Sequence, residues 1–204
     1  ACDAAIEALR GETNGSVIEV ELPHLPASAL AAILIANVEA ADGATPEQVN
    51  RLHPEISAVN RAVIKYRMLL PAAVASQAKR VRTLMRRELA GLFERVEVLA
   101  WPAVPAPAPP LEAPIVELPS GSHTADQANV RGGALANLAG TPAISVPVGL
   151  SSGGLPIGLQ LQAAWGRDEL LLDAAEALER ANGRRWVDSR PPLAEAEPAK
   201  ADGA

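Results

Sequence analysis

Acyl chemistry at a serine needs a base close enough to take the hydroxyl proton, and the serines of this chain are poorly supplied with one. Ser145 alternates with Ile144 and Val146 in a strand-like run, Ala143 to Val148, with no basic residue nearby in sequence. Ser151 and Ser152 belong to Ser151-Ser-Gly-Gly154, between two strand-like runs, where small polar residues with glycine are ordinary turn chemistry. A desolvated lysine could serve as base. The three lysines are Lys65 and Lys79, on predicted exposed helix faces, and Lys200, in a polar tail. Cys2 is preceded by Ala1, so it is not an N-terminal nucleophile, and as the single cysteine it excludes an internal disulfide. His24, His53 and His123 are scattered, and no Cys/His cluster has metal spacing. The residues therefore predict no catalytic set and no metal site within this chain.

Composition limits the partners. Hydrophobic residues make up 49% of the 204, yet only Tyr66, Phe93, Trp101, Trp165 and Trp186 are aromatic, so the core must be built from Ala, Val, Leu and Ile. The net charge of −6 gives no reason to expect nucleic acid or an anionic membrane as partner. The charge is uneven: residues 51–95 hold ten Lys/Arg against three Asp/Glu. A solvated helix face accounts for that, with an anionic partner as the alternative. No apolar run reaches the roughly 18 residues of a membrane span, and a single thiol points to the cytoplasm.

The elements that must position these residues follow from pattern. Residues 1–10 read as a helix with Ala5, Ile6 and Leu9 on one face and Gly11 as its stop. Val17–Leu22 reads as a strand ending at Pro23, which together with that helix would be the back half of a β-α-β unit whose first strand is absent. Ser28 to about Asp42 reads as a buried helix ended by Gly43, and Pro54 to Val98 as two helices interrupted at Pro71, with one basic side. Val96–Trp101 is a strand running into Pro102–Pro119, whose seven prolines favour a polyproline connector. A small-residue helix follows over 124–139, with Gly132-Gly133 at its entry and Gly140-Thr-Pro142 at its end. Ala143–Val148 and Ile157–Gln162 form a hairpin, with Gln160 and Gln162 pointing away from the apolar face. A last helix starts at Gly166-Arg-Asp-Glu169, carries Leu171, Leu172, Ala175 and Leu178 inward, and stops at Asn182-Gly183. The organisation expected is one domain portion, 1–189, and a disordered tail, 190–204.

One stretch is more specific. Asn137-Leu-Ala-Gly-Thr-Pro-Ala-Ile-Ser-Val-Pro-Val-Gly149, followed by Gly154-Leu-Pro-Ile-Gly-Leu-Gln-Leu161, resembles the C-terminal part of the amidase signature family. Glu19-Val-Glu-Leu-Pro23 and Val98–Pro107 add weaker matches, and the resemblance runs from the first helix to about Arg180. It implies an α/β fold with a mixed β-sheet flanked by helices, of which this chain is the C-terminal half. It also implies hydrolysis of an amide by a serine, a second serine in a cis peptide and a lysine, all upstream of the matched region. Ser151-Ser-Gly-Gly154 is too short, and wrongly placed between strands, to be the family's Gly/Ser-rich catalytic loop.

The expected partner is accordingly the N-terminal half of the same enzyme, or a separate chain carrying it, together with a small amide substrate. A homo-oligomer is a further possibility, and no cofactor is implied. Substrate-facing candidates are Trp165, His123, Arg131 and Asn137. In the tRNA-dependent amidotransferase branch, the position seven residues before the motif asparagine is acidic and helps read glutamine. Here it is Val130, which favours a general or specialised amidase. The competing class is a non-catalytic interaction or scaffold protein with the same fold.

Overall fold

A computed structural model describes residues 1–41, 45, 47, 51 and 58–182. The predicted stops at Gly43 and Gly183, the start of the basic helices at 54–57 and the tail 190–204 lie outside these residues. The described elements are α1 (Cys2–Thr13), α2 (Leu25–Ala41), α3 (Ala58–Arg67), α4 (Ala72–Phe93), β1 (Val98–Pro102), β2 (Ile115–Leu118), β3 (Gly121–Thr124), α5 (Ala125–Ala139), β4 (Ala143–Leu150), β5 (Pro156–Ala163) and α6 (Asp168–Ala181).

The α/β class and the helix-flanked sheet are as expected, and the described pairings are all antiparallel. The main sheet has the order β1-β5-β4, with β5 at its centre. Because side chains alternate along a strand, β5 divides the core. Leu159, Leu161 and Ala163 face α1 and α6, and pack with Ala5, Leu171, Ala175 and Leu178. The other face carries Gln160 and Gln162, level with Trp101 and Leu99 of β1. Leu99 packs with Ala78, Met85 and Leu89 of α4, Leu135 and Leu138 of α5, and Ala31 and Ile35 of α2. Helices thus cover the sheet on both sides. The glutamines do point away from the Leu face, but they are buried, at 8% and 0% exposure. Gln162 donates to the Thr141 hydroxyl.

Several expectations need correction. Val17–Leu22 is not a strand: no described segment pairs with it, and a strand exists only through its ladder partner. α1 runs through Gly11 and ends at Asn14, whose left-handed φ of 50° makes the cap. Part of the proline-rich connector is β2, paired with β3 in register Ile115↔Thr124 to Leu118↔Gly121. Prolines fall outside that four-residue ladder, so their missing N–H groups cost it nothing. Gly132-Gly133 lie inside α5; its entry is a capping box in which Thr124 and Gln127 satisfy each other's backbone N–H groups. Leu172 points outward and is exposed, and the buried face of α4 is made by Ala75, Ala78, Met85, Leu89 and Leu92.

Other readings stand. Pro71 separates α3 from α4 and is the N-cap of α4. Gly140, with φ 72°, caps α5, its N–H bonding Ala136 O at 2.8 Å. Pro147 sits in β4, an edge strand, beside a bulge between Pro147 and Gly149.

At Gly158, β5 and its neighbours approach closely. A Cβ there would lie 2.8 Å from Ser145 Oγ and 3.3 Å from Ala103 Cβ. Gly158→Ala is expected to lower stability by about 1–3 kcal/mol through overpacking. Removing the hydroxyl in a Ser145→Ala/Gly158→Ala double variant should recover part of that loss, as read by urea denaturation in a double-mutant cycle. Additive losses would show that Ala103, not Ser145, sets the limit.

Candidate functional site

Helix α5 links the motif residues and places the four expected substrate contacts in separate neighbourhoods. His123 lies on β3, half-buried, and Arg131 on the exposed side of α5. Both converge on Ser120, in the turn between β2 and β3: Ser120 Oγ is 2.8 Å from His123 Nε2, and Arg131 donates to the same oxygen at 3.2 Å. The sequence carries no signal for Ser120 as a site residue, because the prolines around its hairpin mark a connector. Beside it, Ser122 donates to the Glu117 carboxylate at 2.7 Å and 2.9 Å.

A Ser–His contact could suggest a nucleophile. Ser120 lacks what that role needs: Arg131 uses an oxygen lone pair, and no described group holds the far nitrogen of His123 in place.

Trp165 stands at the other end of α5. Arg131 and Ala139 are about 12 Å apart along the axis, at 1.5 Å per residue. Trp165 Nε1 donates to Ala139 O at 3.1 Å, and its ring meets Phe93 edge-on at a centroid distance of 6.5 Å. The Arg86 guanidinium lies over the same ring at 4.6 Å and also donates to Ala139 O. Two donors on one carbonyl satisfy an oxygen that the helix leaves unpaired at its C-terminus, and the positive charge suits the negative end of the helix. Trp165 also lines an open groove of about 610 Å³ against α4. It therefore packs the end of α5 and lines that groove. Asn137 is exposed on α5, with its amide 3.9 Å from where a Cβ on Gly133 would lie.

The candidate nucleophiles and bases do not assemble. Lys65 is exposed and Lys79 pairs with Glu39 at 3.4 Å. Ser151 accepts from the Leu155 N–H at 3.1 Å, closing the β4–β5 turn. Among the described residues no group of His, Cys, Asp and Glu could hold a metal, and no helix is long and apolar enough to cross a membrane. Burial pushes the Cys2 thiol above its ordinary range, partly opposed by the nearby amino group, which makes it a poorer nucleophile at neutral pH.

Trp165→Ala is expected to cost about 3 kcal/mol or more, since it removes a packed aromatic ring. Melting curves check this, and a loss below about 1 kcal/mol would leave only the wall role. The Cys2 shift has a pH consequence. The folded thiol keeps its proton to higher pH than the unfolded one, so stability falls as pH rises above about 8.5. Cys2→Ser should flatten that decline in denaturation measured between pH 7 and 10.

The family model for amidases matches residues 1–172. The A component of the glutamyl-tRNA(Gln) amidotransferase of Thermus thermophilus is 35% identical over 217 residues, covering 96% of this chain and 44% of that protein. A crystal structure of an amidase superposes with a TM-score of 0.69 at 28% identity, over 92% of this chain and 41% of that one. 6-Aminohexanoate cyclic dimer hydrolase, solved with its substrate, has a TM-score of 0.71 at 23% identity over 93% and 42%, a likeness of fold alone. The chain spans less than half the length of the relatives it matches. On that family match, which spans residues 1–172, the chain belongs to the amidase signature family.

Proposed function

We propose that this chain is the C-terminal portion of an amide hydrolase that cleaves a carboxylic amide C–N bond, with its serine nucleophile and lysine supplied by the N-terminal half of the enzyme or by a separate chain. The observation that carries the reading is the family match joined to the lack of any Ser–Lys pair among the described residues. In the reaction envisaged, the serine attacks the amide carbonyl, backbone N–H groups stabilise the oxyanion, ammonia or an amine leaves, and water releases the acid.

Two surface features support a covering polypeptide. The outer edges of β4 and β1 have no partner among the described residues, and an open edge is a template for further strands. Helix α2 is apolar nearly all round, with Leu30 at 61% and Ile33 at 41% exposure. A helix of that character is normally enclosed on all sides. A second copy of the chain is the alternative occupant.

Within this proposal His123 and Arg131, joined through Ser120, make polar contact with the substrate or with the chain that holds it. Asn137 and Trp165 serve the far end of α5. Val130, seven residues before the motif asparagine, favours amides other than the glutamine side chain. A cytoplasmic setting suits the chemistry, and no cofactor is invoked.

The test is ammonia or amine release from a panel of aliphatic and aromatic amides. The chain alone should give no turnover, and the chain joined to the N-terminal half of a family member should give it. In the active assembly, alanine at Ser145, Ser151 or Ser152 should leave kcat/KM within a few-fold, while Arg131→Ala should lower it for some amides more than others. Full turnover by the chain alone, or a loss of about 10³-fold at one of those serines in a folded variant, would overturn the reading.

A further inference from the structure

We propose that the groove between α4 and the β5–α6 loop is a binding site for a phosphate group. Its lining is Arg82, Thr83, Arg86, Arg87, Ala90 and Trp165. Three of the six are arginines and none is acidic, in a chain of net charge −6. Arg82 and Arg86 are four residues apart on α4, one turn, and Arg87 follows directly. Like charges at that spacing oppose one another and weaken the helix slightly, so an anion held between them would relieve a repulsion that solvent otherwise only screens. That anion is not a carboxylate of the described residues. Elsewhere on α4, Lys79 pairs with Glu39, Arg80 reaches Ser76, and Glu88 is held by His24. Arg82 and Arg87 have no such partner among the described residues.

Arg86 gives the groove a fixed wall. It is stacked over Trp165 and bonded to Ala139 O, so one guanidinium is already oriented, with further N–H groups free. Its charge offsets the negative end of α5, which would otherwise repel an anion. Arg82 and Arg87 are then free to close on the ligand. Planar guanidinium forks match phosphate oxygens two at a time, with a geometry that lysine lacks. The space, about 610 Å³ and open to solvent, admits a phosphate carried on a larger small molecule as readily as the free ion.

The experiment uses the intact chain at constant ionic strength, balanced with sodium chloride. Inorganic phosphate and a phosphate monoester such as glycerol phosphate are titrated while tryptophan emission is followed, and calorimetry repeats each titration. Saturable binding is expected for at least one of the two, and the tighter one identifies the source of the phosphate. Trp165→Phe should remove the emission change and leave the heat. The double variant Arg82→Gln/Arg87→Gln should bind about tenfold more weakly or worse, having lost charge-assisted bonds. The single variant Arg87→Gln, at an exposed position, should show an intermediate loss if the double variant does not fold. A response matched by chloride alone, or undiminished in the variants, would overturn the site. So would binding of heparin or an RNA oligonucleotide without binding of either small phosphate, which would mark a diffuse basic surface instead.

Discussion

Burying both faces of β5 is the constraint on which the rest of this structure depends. A strand covered on one side only needs one apolar set of side chains; β5 is covered on both. Its Leu159, Leu161 and Ala163 are sealed by α1 and α6. On the reverse, Gln160 and Gln162 lie under the layer that includes α2, α4 and α5. Buried amides call for hydrogen-bond partners, and Gln160 Nε2 and Gln162 Oε1 have none among the described residues. Thr141 meets part of the need, and it can do so only because Gly140 turns the chain out of α5 just before it. Gly158 adds a steric condition, since its missing Cβ lets Ser145 and Ala103 approach.

The corner at the end of α5 transmits this arrangement to the surface. Ala139 O receives the indole N–H of Trp165 and a guanidinium N–H of Arg86. One carbonyl thus ties together α5, α4 and the loop leading to α6. Phe93 closes the remaining side of the indole. The motif from Asn137 to Pro142 is therefore chiefly architectural: it ends a helix, aims β4 and leaves an acceptor where two other elements can dock. A motif can mark a family in this way while contributing no reacting atom, because function resides in sites and not in the fold that carries them.

Charge is distributed in keeping with that division. The acidic excess is spread over the ends of the chain, whereas α4 concentrates arginines on the side that Trp165 faces. At the opposite end of α5, Arg131 and His123 meet at Ser120, next to the Glu117–Ser122 contact. The helix carries two polar neighbourhoods about 12 Å apart, with different balances of charge, which makes a single shared ligand for both a poor fit.

Periodicity by itself determined the helices α2, α4, α5 and α6, the β4–β5 hairpin and the division at Pro71, because apolar spacing and proline geometry act locally. The Asn137–Leu161 pattern also determined the family, since its glycines and prolines answer to backbone conformations that few residues satisfy. Tertiary structure decided the rest. Val17–Leu22 has strand composition but no described partner, and composition cannot supply one. The β2–β3 hairpin is hidden in the sequence because its prolines dominate the local signal, while its four ladder pairs depend on two segments meeting. Ser120 becomes a site residue only through that meeting. For Gln160 and Gln162 the sequence told only that they point away from the apolar face, since alternation tells which side a residue is on but not what covers that side. The groove of Arg82, Arg86, Arg87 and Trp165 joins residues nearly eighty positions apart in the chain, and only the packing of α4 against the end of α5 brings them to one wall.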